Sequence, residues 1–286
     1  MSEFIELQNM GKYIIKTIVI SLIVFTFAFS TAVDARKKKV KTKSKYKVIK
    51  VIDGGSVSGN ALYTGKTVPK DEIISLTSQQ ELCGNTLPAG KFLINGRREI
   101  KNVVVYLADI KAGKEIPNAP LVIDNVLCAF EPHVSITYRG NMAINKNTDP
   151  VLHNFHGYIN DRTVYNIAVP EKGLQVERKL IYSGLMTVKC NPHPWMVSYV
   201  HIFTHPYAAL TNEKGEFSIS DIPAGSYEVR AWHEGLGEIS LGKVNVKAGK
   251  ATIVNAEFSK YPEKPKKASP QIRKKPKTQD ILLENW

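Results

Sequence analysis

Beyond residue 50 the hydrophobic positions fall in short runs rich in β-branched and aromatic residues, and helical periodicity is scarce. Val103-Val104-Val105-Tyr106-Leu107, Ser135-Ile136-Thr137-Tyr138, Glu216-Phe217-Ser218-Ile219 and Ser226-Tyr227-Glu228-Val229-Arg230 are of this kind. Turn formers separate them, as in Asn212-Glu213-Lys214-Gly215 and Ile222-Pro223-Ala224-Gly225. Short runs closed by Gly, Pro and Asn predict strands. Strands at this spacing predict antiparallel sandwiches rather than βαβ units, so the expected fold class is all-β. No repeat of fixed period is present.

The two ends follow a different pattern. Lys12 and Lys16 precede an apolar run from Thr17 to Phe29, and small residues follow through Ala35. Residues 1–35 are therefore expected to be a signal peptide cut after Ala35, or an uncleaved anchor, since Tyr13 to Val33 is just long enough to span a bilayer. The cluster Arg36-Lys37-Lys38-Lys39 lies just past the apolar run and resists translocation, which argues against easy export. At the other end, Pro262, Pro265, Pro270 and Pro276 stand among lysines, a composition expected to be disordered.

Composition changes this picture once the charge is located. The 286 residues are 43% hydrophobic and 23% charged, as in a globular protein, with a formal charge of +13. Nine Lys/Arg lie in 36–50, and eight lie in 259–286 against three acids. Residues 51–258 hold 20 basic and 20 acidic residues. The basicity thus belongs to a linker (36–50) and a tail (259–286). Such tails suit an anionic membrane surface, and no basic stripe supports nucleic-acid binding. The location expected is periplasmic or otherwise extracytoplasmic.

The chemistry is concentrated in Cys190-Asn191-Pro192-His193-Pro194-Trp195-Met196 and in Leu152-His153-Asn154-Phe155-His156. A thiolate, two imidazoles and a thioether are what an ion shuttling between Cu(I) and Cu(II) requires. A loop of seven residues after the strand Leu185-Met186-Thr187-Val188-Lys189 can present Cys190, His193 and Met196 around one point. The second imidazole must come from a distant strand. His153 and His156 are three apart and face opposite ways along such a strand, so only one can point at the ion. His133, His201, His205 and His233 have no partner at ligand spacing and are read as structural, and Met142 and Met186 as core filling.

With the loop pattern C-x-P-H-P-aromatic-M and the His153-Asn154-x-His156 run, segment 121–204 resembles the cupredoxin family, and its ligand loop is most similar to the amicyanin type. Phe130-Glu131-Pro132-His133-Val134, Arg139-Gly140-Asn141 and Asn145-x-Asn147-x-Asp149 resemble that family's opening hairpin. The resemblance implies one type I copper held by His153, Cys190, His193 and Met196, with Asn154 tying the two ligand loops together. Pro192 has no N–H to offer the Cys190 sulfur, which makes it a candidate for tuning the metal. With Cys190 on copper, Cys83 and Cys128 remain as a candidate disulfide in an oxidising compartment.

Residues 208–217, then Ile222-Pro223-Ala224-Gly225-Ser226-Tyr227 and Ala231-Trp232-His233, resemble the second half of a carboxypeptidase-regulatory, prealbumin-like sandwich. The matching first half is sought near Gly55-Ser56-Val57 and Asn102-Val103-Val104-Val105. The expected organisation is a prealbumin-like sandwich split into 51–118 and 205–258, with a cupredoxin Greek-key sandwich at 119–204 either inserted in it or preceding a short second domain. The resemblance implies electron transfer rather than enzymatic turnover, with a cytochrome- or dehydrogenase-type redox partner. Pro194 and Trp195 would then form an apolar docking patch, unless Trp195 simply packs the loop. Copper binding and delivery in the envelope, or a structural β-module with a vestigial site, are the alternatives.

Overall fold

The computed structural model describes residues 46–260, and the export or anchor segment at 1–35, most of the basic linker and nearly all of the tail lie outside the described residues. Among the described residues no helix is long and apolar enough to cross a membrane. The architecture is all-β, as expected, with one β-sandwich and a second sandwich beside it in the chain.

The first sandwich runs from Leu121 to Phe203. One sheet orders Gln175–Lys179, Met142–Asn147, Leu121–Val126 and Ala129–Glu131. The other orders Arg162–Val169, His153–Ile159, Gly184–Lys189, Val197–Phe203 and Val134–Tyr138. Val134–Tyr138 pairs parallel to Val197–Phe203, and Leu121–Val126 parallel to Met142–Asn147. The two parallel pairings need chain crossings between the sheets, as a Greek key makes and simple hairpins do not. Ile123, Phe130, Phe155, Val169, Met186, Val188 and Val200 are buried between the sheets, and the strand Met142–Asn147 alternates buried and half-buried positions with period two. Full burial of each such side chain stabilises the fold by about 1.5–3 kcal/mol.

The second sandwich draws its strands from both sides of the first. One sheet orders Ala208–Leu210, Val104–Leu107, Gly225–His233 and Gly237–Val246. Tyr106 stands opposite Ala208 on one side and Arg230 on the other. The facing sheet centres on Gly55–Tyr63, which pairs with Glu216–Ile222, Ala251–Ile253 and Ala256–Phe258. The chain therefore leaves this sandwich after Leu107 and rejoins the same sheet at Ala208. Its core is Val57, Ala61, Val105, Leu107, Tyr207, Phe217, Val229, Ala231 and Phe258.

One element has no counterpart in the hydrophobic pattern. Between Asp71 and Gly90 the chain makes a small hairpin, Ile73–Ser75 with Thr86–Pro88, and a single helical turn, Gln80–Cys83. Asp71 closes its base, accepting backbone N–H bonds from Gly90, Lys91 and Phe92.

Candidate metal centre

The two ligand segments enter the site from adjacent strands. His153 opens the strand His153–Ile159, which pairs with Gly184–Lys189 so that His156 stands opposite Lys189. Cys190 is the next residue, and the loop to Met196 follows it. Strand alternation puts His153 and Phe155 on the core side and His156 on the outer face, where its ring contacts Asn191, Thr163 and Tyr158.

His153 Nδ1, His193 Nδ1 and Cys190 Sγ converge on one point. The two nitrogens are 3.0 Å apart, and the sulfur lies 3.8 Å from the first and 3.5 Å from the second. A metal with M–N near 2.0 Å and M–S near 2.3 Å at roughly tetrahedral angles requires N···N and N···S spans of about 3.3 and 3.5 Å. The donor atoms lie within about 0.3 Å of those spans. All three residues are at most 2% exposed, as is Met196, which follows on the same loop and donates its backbone N–H to the His193 carbonyl. Met196 belongs to the same core as Cys190.

The surrounding hydrogen bonds fix the donors. His153 Nε2 donates to Asp149 Oδ2 at 2.9 Å, which leaves the Nδ1 lone pair free toward the point of convergence. Asp149 is itself held by N–H bonds from Leu127 and Cys128, and its own N–H goes to Asn147. Asn154 ties the two ligand segments together: its backbone N–H points at Cys190 Sγ at 3.4 Å, and its side-chain oxygen accepts the Asn191 N–H. Its Nδ2 donates to Asn166. Pro192, exposed on the loop, supplies no donor. Trp195 is half-buried; its ring lies 5.1 Å from that of His193 and its Nε1 donates to the Cys128 carbonyl, so it packs the loop.

Burial pushes the Cys190 thiol above its ordinary range, against the N–H bonds from Asn154 and His193. Burial also lowers His153, with Asp149 opposing, and lowers His193 to about 4, with the neighbouring His153 adding to the effect. Burial thus favours one thiol and two neutral imidazoles in the metal-free site, which are good donors to a soft or borderline cation once the thiol proton leaves.

Cys83 and Cys128 are joined by a disulfide with Cα atoms 5.4 Å apart, leaving Cys190 as the free cysteine. Among the histidines without ligand spacing, His201, His205 and His233 are buried, and His133 pairs with Glu234. Met186 fills the core, while Met142 is only half-buried at a strand start. Asp149 is the residue that pattern reading left without a role. Its signal was the run Asn145-x-Asn147-x-Asp149, whose alternate polar residues prove to be buried.

Residues 199–254 match the family described as polysaccharide lyase family 4, domain II, a stretch that starts in the first sandwich and runs through most of the second half of the other. No curated protein matches the chain. Among solved structures, similarity is found to amicyanin from Paracoccus versutus, at 16% identity over 31% of this chain and 86% of that one with a TM-score of 0.27. A purple cupredoxin from Nitrosopumilus maritimus is 21% identical over 30% of this chain and 99% of that one, with a TM-score of 0.26. A Cu-containing nitrite reductase from Thermus scotoductus is 18% identical over 32% of this chain, at a TM-score of 0.27, and the chain spans only 24% of that enzyme.

Proposed function

We propose that residues 119–204 form a type I copper domain inserted in a prealbumin-like, carboxypeptidase-regulatory type of sandwich. On this reading the protein is an exported or membrane-anchored one-electron carrier rather than an enzyme. The observation that carries the reading is the convergence of His153 Nδ1, His193 Nδ1 and Cys190 Sγ within 3.8 Å of one another in a site closed to solvent. Copper held there supplies a reversible one-electron couple. Asp149 and Asn154 keep the donors oriented, so the frame does not need to be rebuilt between redox states. Met196 offers the thioether, which suits the reduced ion.

Burial of every donor favours retention of the ion over its delivery to an acceptor, because release requires the loop to open. A complete donor set weighs against a vestigial site. The partner on this reading is a redox protein that meets the ligand-loop end, where Pro192 and Pro194 are exposed.

Purified protein loaded with Cu(II) is expected to bind one ion and show an intense visible thiolate-to-Cu(II) band. Cys190→Ala is expected to lose it entirely, and a band of equal strength in that variant would sink the copper assignment.

A further inference from the structure

The Cys83–Cys128 disulfide ties the small hairpin of residues 72–89 to the ligand-bearing end of the first sandwich. Leu76 is buried there, and Ile74, Leu82 and Leu87 pack against the core that contains Cys190 and Met196. A cavity of about 40 Å³ between the two parts is lined by Ile74, Leu87, Pro88, Phe130, Trp195 and Met196, so this lobe forms the wall over the methionine side of the site.

Cys128 is also a hydrogen-bonding junction. Its N–H goes to Asp149 Oδ2 at 2.8 Å, the same oxygen that takes the His153 Nε2 proton. Its carbonyl accepts from Trp195, whose ring packs against His193. One bond from Cys128 in each direction therefore reaches a residue that holds one of the two imidazoles. The turn itself is costly. Leu127 and Cys128 have φ of 49° and 60°, left-handed values that are unfavourable for residues with a side chain. A two-residue hairpin of this shape is ordinarily made by Asn-Gly or Asp-Gly. Here it persists because the surroundings hold it: both N–H groups on the Asp149 carboxylate, and the cystine.

We propose that the Cys83–Cys128 disulfide is a positioning device of the metal centre, a latch that holds both imidazoles in register and keeps the 72–89 lobe closed over the site. This rests on the reading of the site as a metal centre, but its main test needs no metal. With the disulfide intact, and equally in Cys83→Ser/Cys128→Ser, the single thiol of the protein is Cys190. Alkylation of Cys190 by iodoacetamide in metal-free, folded protein reports how often the site opens. The double variant is expected to react at least about tenfold faster than wild type, since opening no longer requires the latched lobe to move as one with the turn. Trp195→Phe, which keeps the disulfide but loses the N–H to Cys128 together with part of the ring over His193, is expected to fall between them. Val229→Ala truncates the other sandwich's core and is expected to react at the wild-type rate. A wild-type rate in the double variant overturns the latch, and so does an equal acceleration in Val229→Ala, which would mark a general loss of stability. Should the double variant fail to fold, an unchanged rate in Trp195→Phe overturns it instead. Extraction of Zn(II) by a chelator is the second readout, expected to be about tenfold faster without the latch. Wild type that binds neither Zn(II) nor Cu(II) refutes the metal reading, while the alkylation rates still decide the latch.

Discussion

At the residue scale the site is organised by which groups can give or take a proton. Because burial keeps the Cys190 thiol protonated and both imidazoles neutral, metal binding at pH 7 is expected to release about one proton, from Cys190 and from no histidine. Calorimetry in buffers of different ionisation enthalpy measures that number, and a value near zero or two contradicts the assignment. Asn154→Ala removes the acceptor of the Asn191 N–H and loosens the loop against the strand, so metal affinity is expected to fall about 10–100-fold while Cys190 still ligates. Competition with a chelator of known affinity checks it. Pro192→Ala restores an N–H beside the Cys190 sulfur. A bond from it stabilises the thiolate, withdraws electron density from the metal and is expected to raise the reduction potential with the visible band retained. Voltammetry showing an unchanged or lower potential counts against this.

At the element scale, what the chain makes legible depends on how local the pattern is. The strands around the core follow from runs such as Val103–Leu107 and Glu216–Ile219, which the structure trims or extends by one to three residues, to Val104–Leu107 and Glu216–Ile222. The ligand loop carries its chemistry in seven consecutive letters, from Cys190 to Met196. The lobe at 72–89 was not legible, because a three-residue hairpin and a single helical turn are too short to show a period, and its stability comes from Asp71 and a disulfide. Asp149 was not legible either, since its bond to His153 requires the turn at Leu127–Cys128 to fold over it. The strand Gly55–Tyr63 has its own constraint. Two short strands, Ala251–Ile253 and Ala256–Phe258, pair with it in succession, and the chain between them crosses directly over Gly59. A Cβ there would stand 2.0 Å from the Val254 carbonyl oxygen, a backbone atom that cannot swing aside. Gly59→Ala is expected to destabilise the protein by about 1–3 kcal/mol while leaving the copper band at its wild-type position, which denaturant unfolding and a visible spectrum together check.

At the scale of the whole molecule, acid should act through histidines far from the ligands. Burial holds His201, His205 and His233 at about 4, well below the ordinary value near 6.5. The folded state therefore binds fewer protons than the unfolded chain between these values. Stability is full above pH 6.5 and declines as pH falls toward 4, by at most about 3 kcal/mol for each histidine. His201 has no partner for its Nε2 and lies against Trp232 where strands of the two sandwiches meet, with ring centroids 4.5 Å apart. His201→Phe is expected to flatten part of the acid limb in melting temperature against pH. The path of the chain, out of one sheet at Leu107 and back into it at Ala208, has a consequence of another kind. If the intervening residues were a loose chain of about a hundred, the second sandwich would have to close a large ring against its entropy. While the first sandwich is folded, its own sheets span most of that ring, and the closure is easier by about 1–2 kcal/mol. An ion that tightens the first sandwich thereby raises the melting point of the second without touching it, and stripping the metal should lower the melting of both halves.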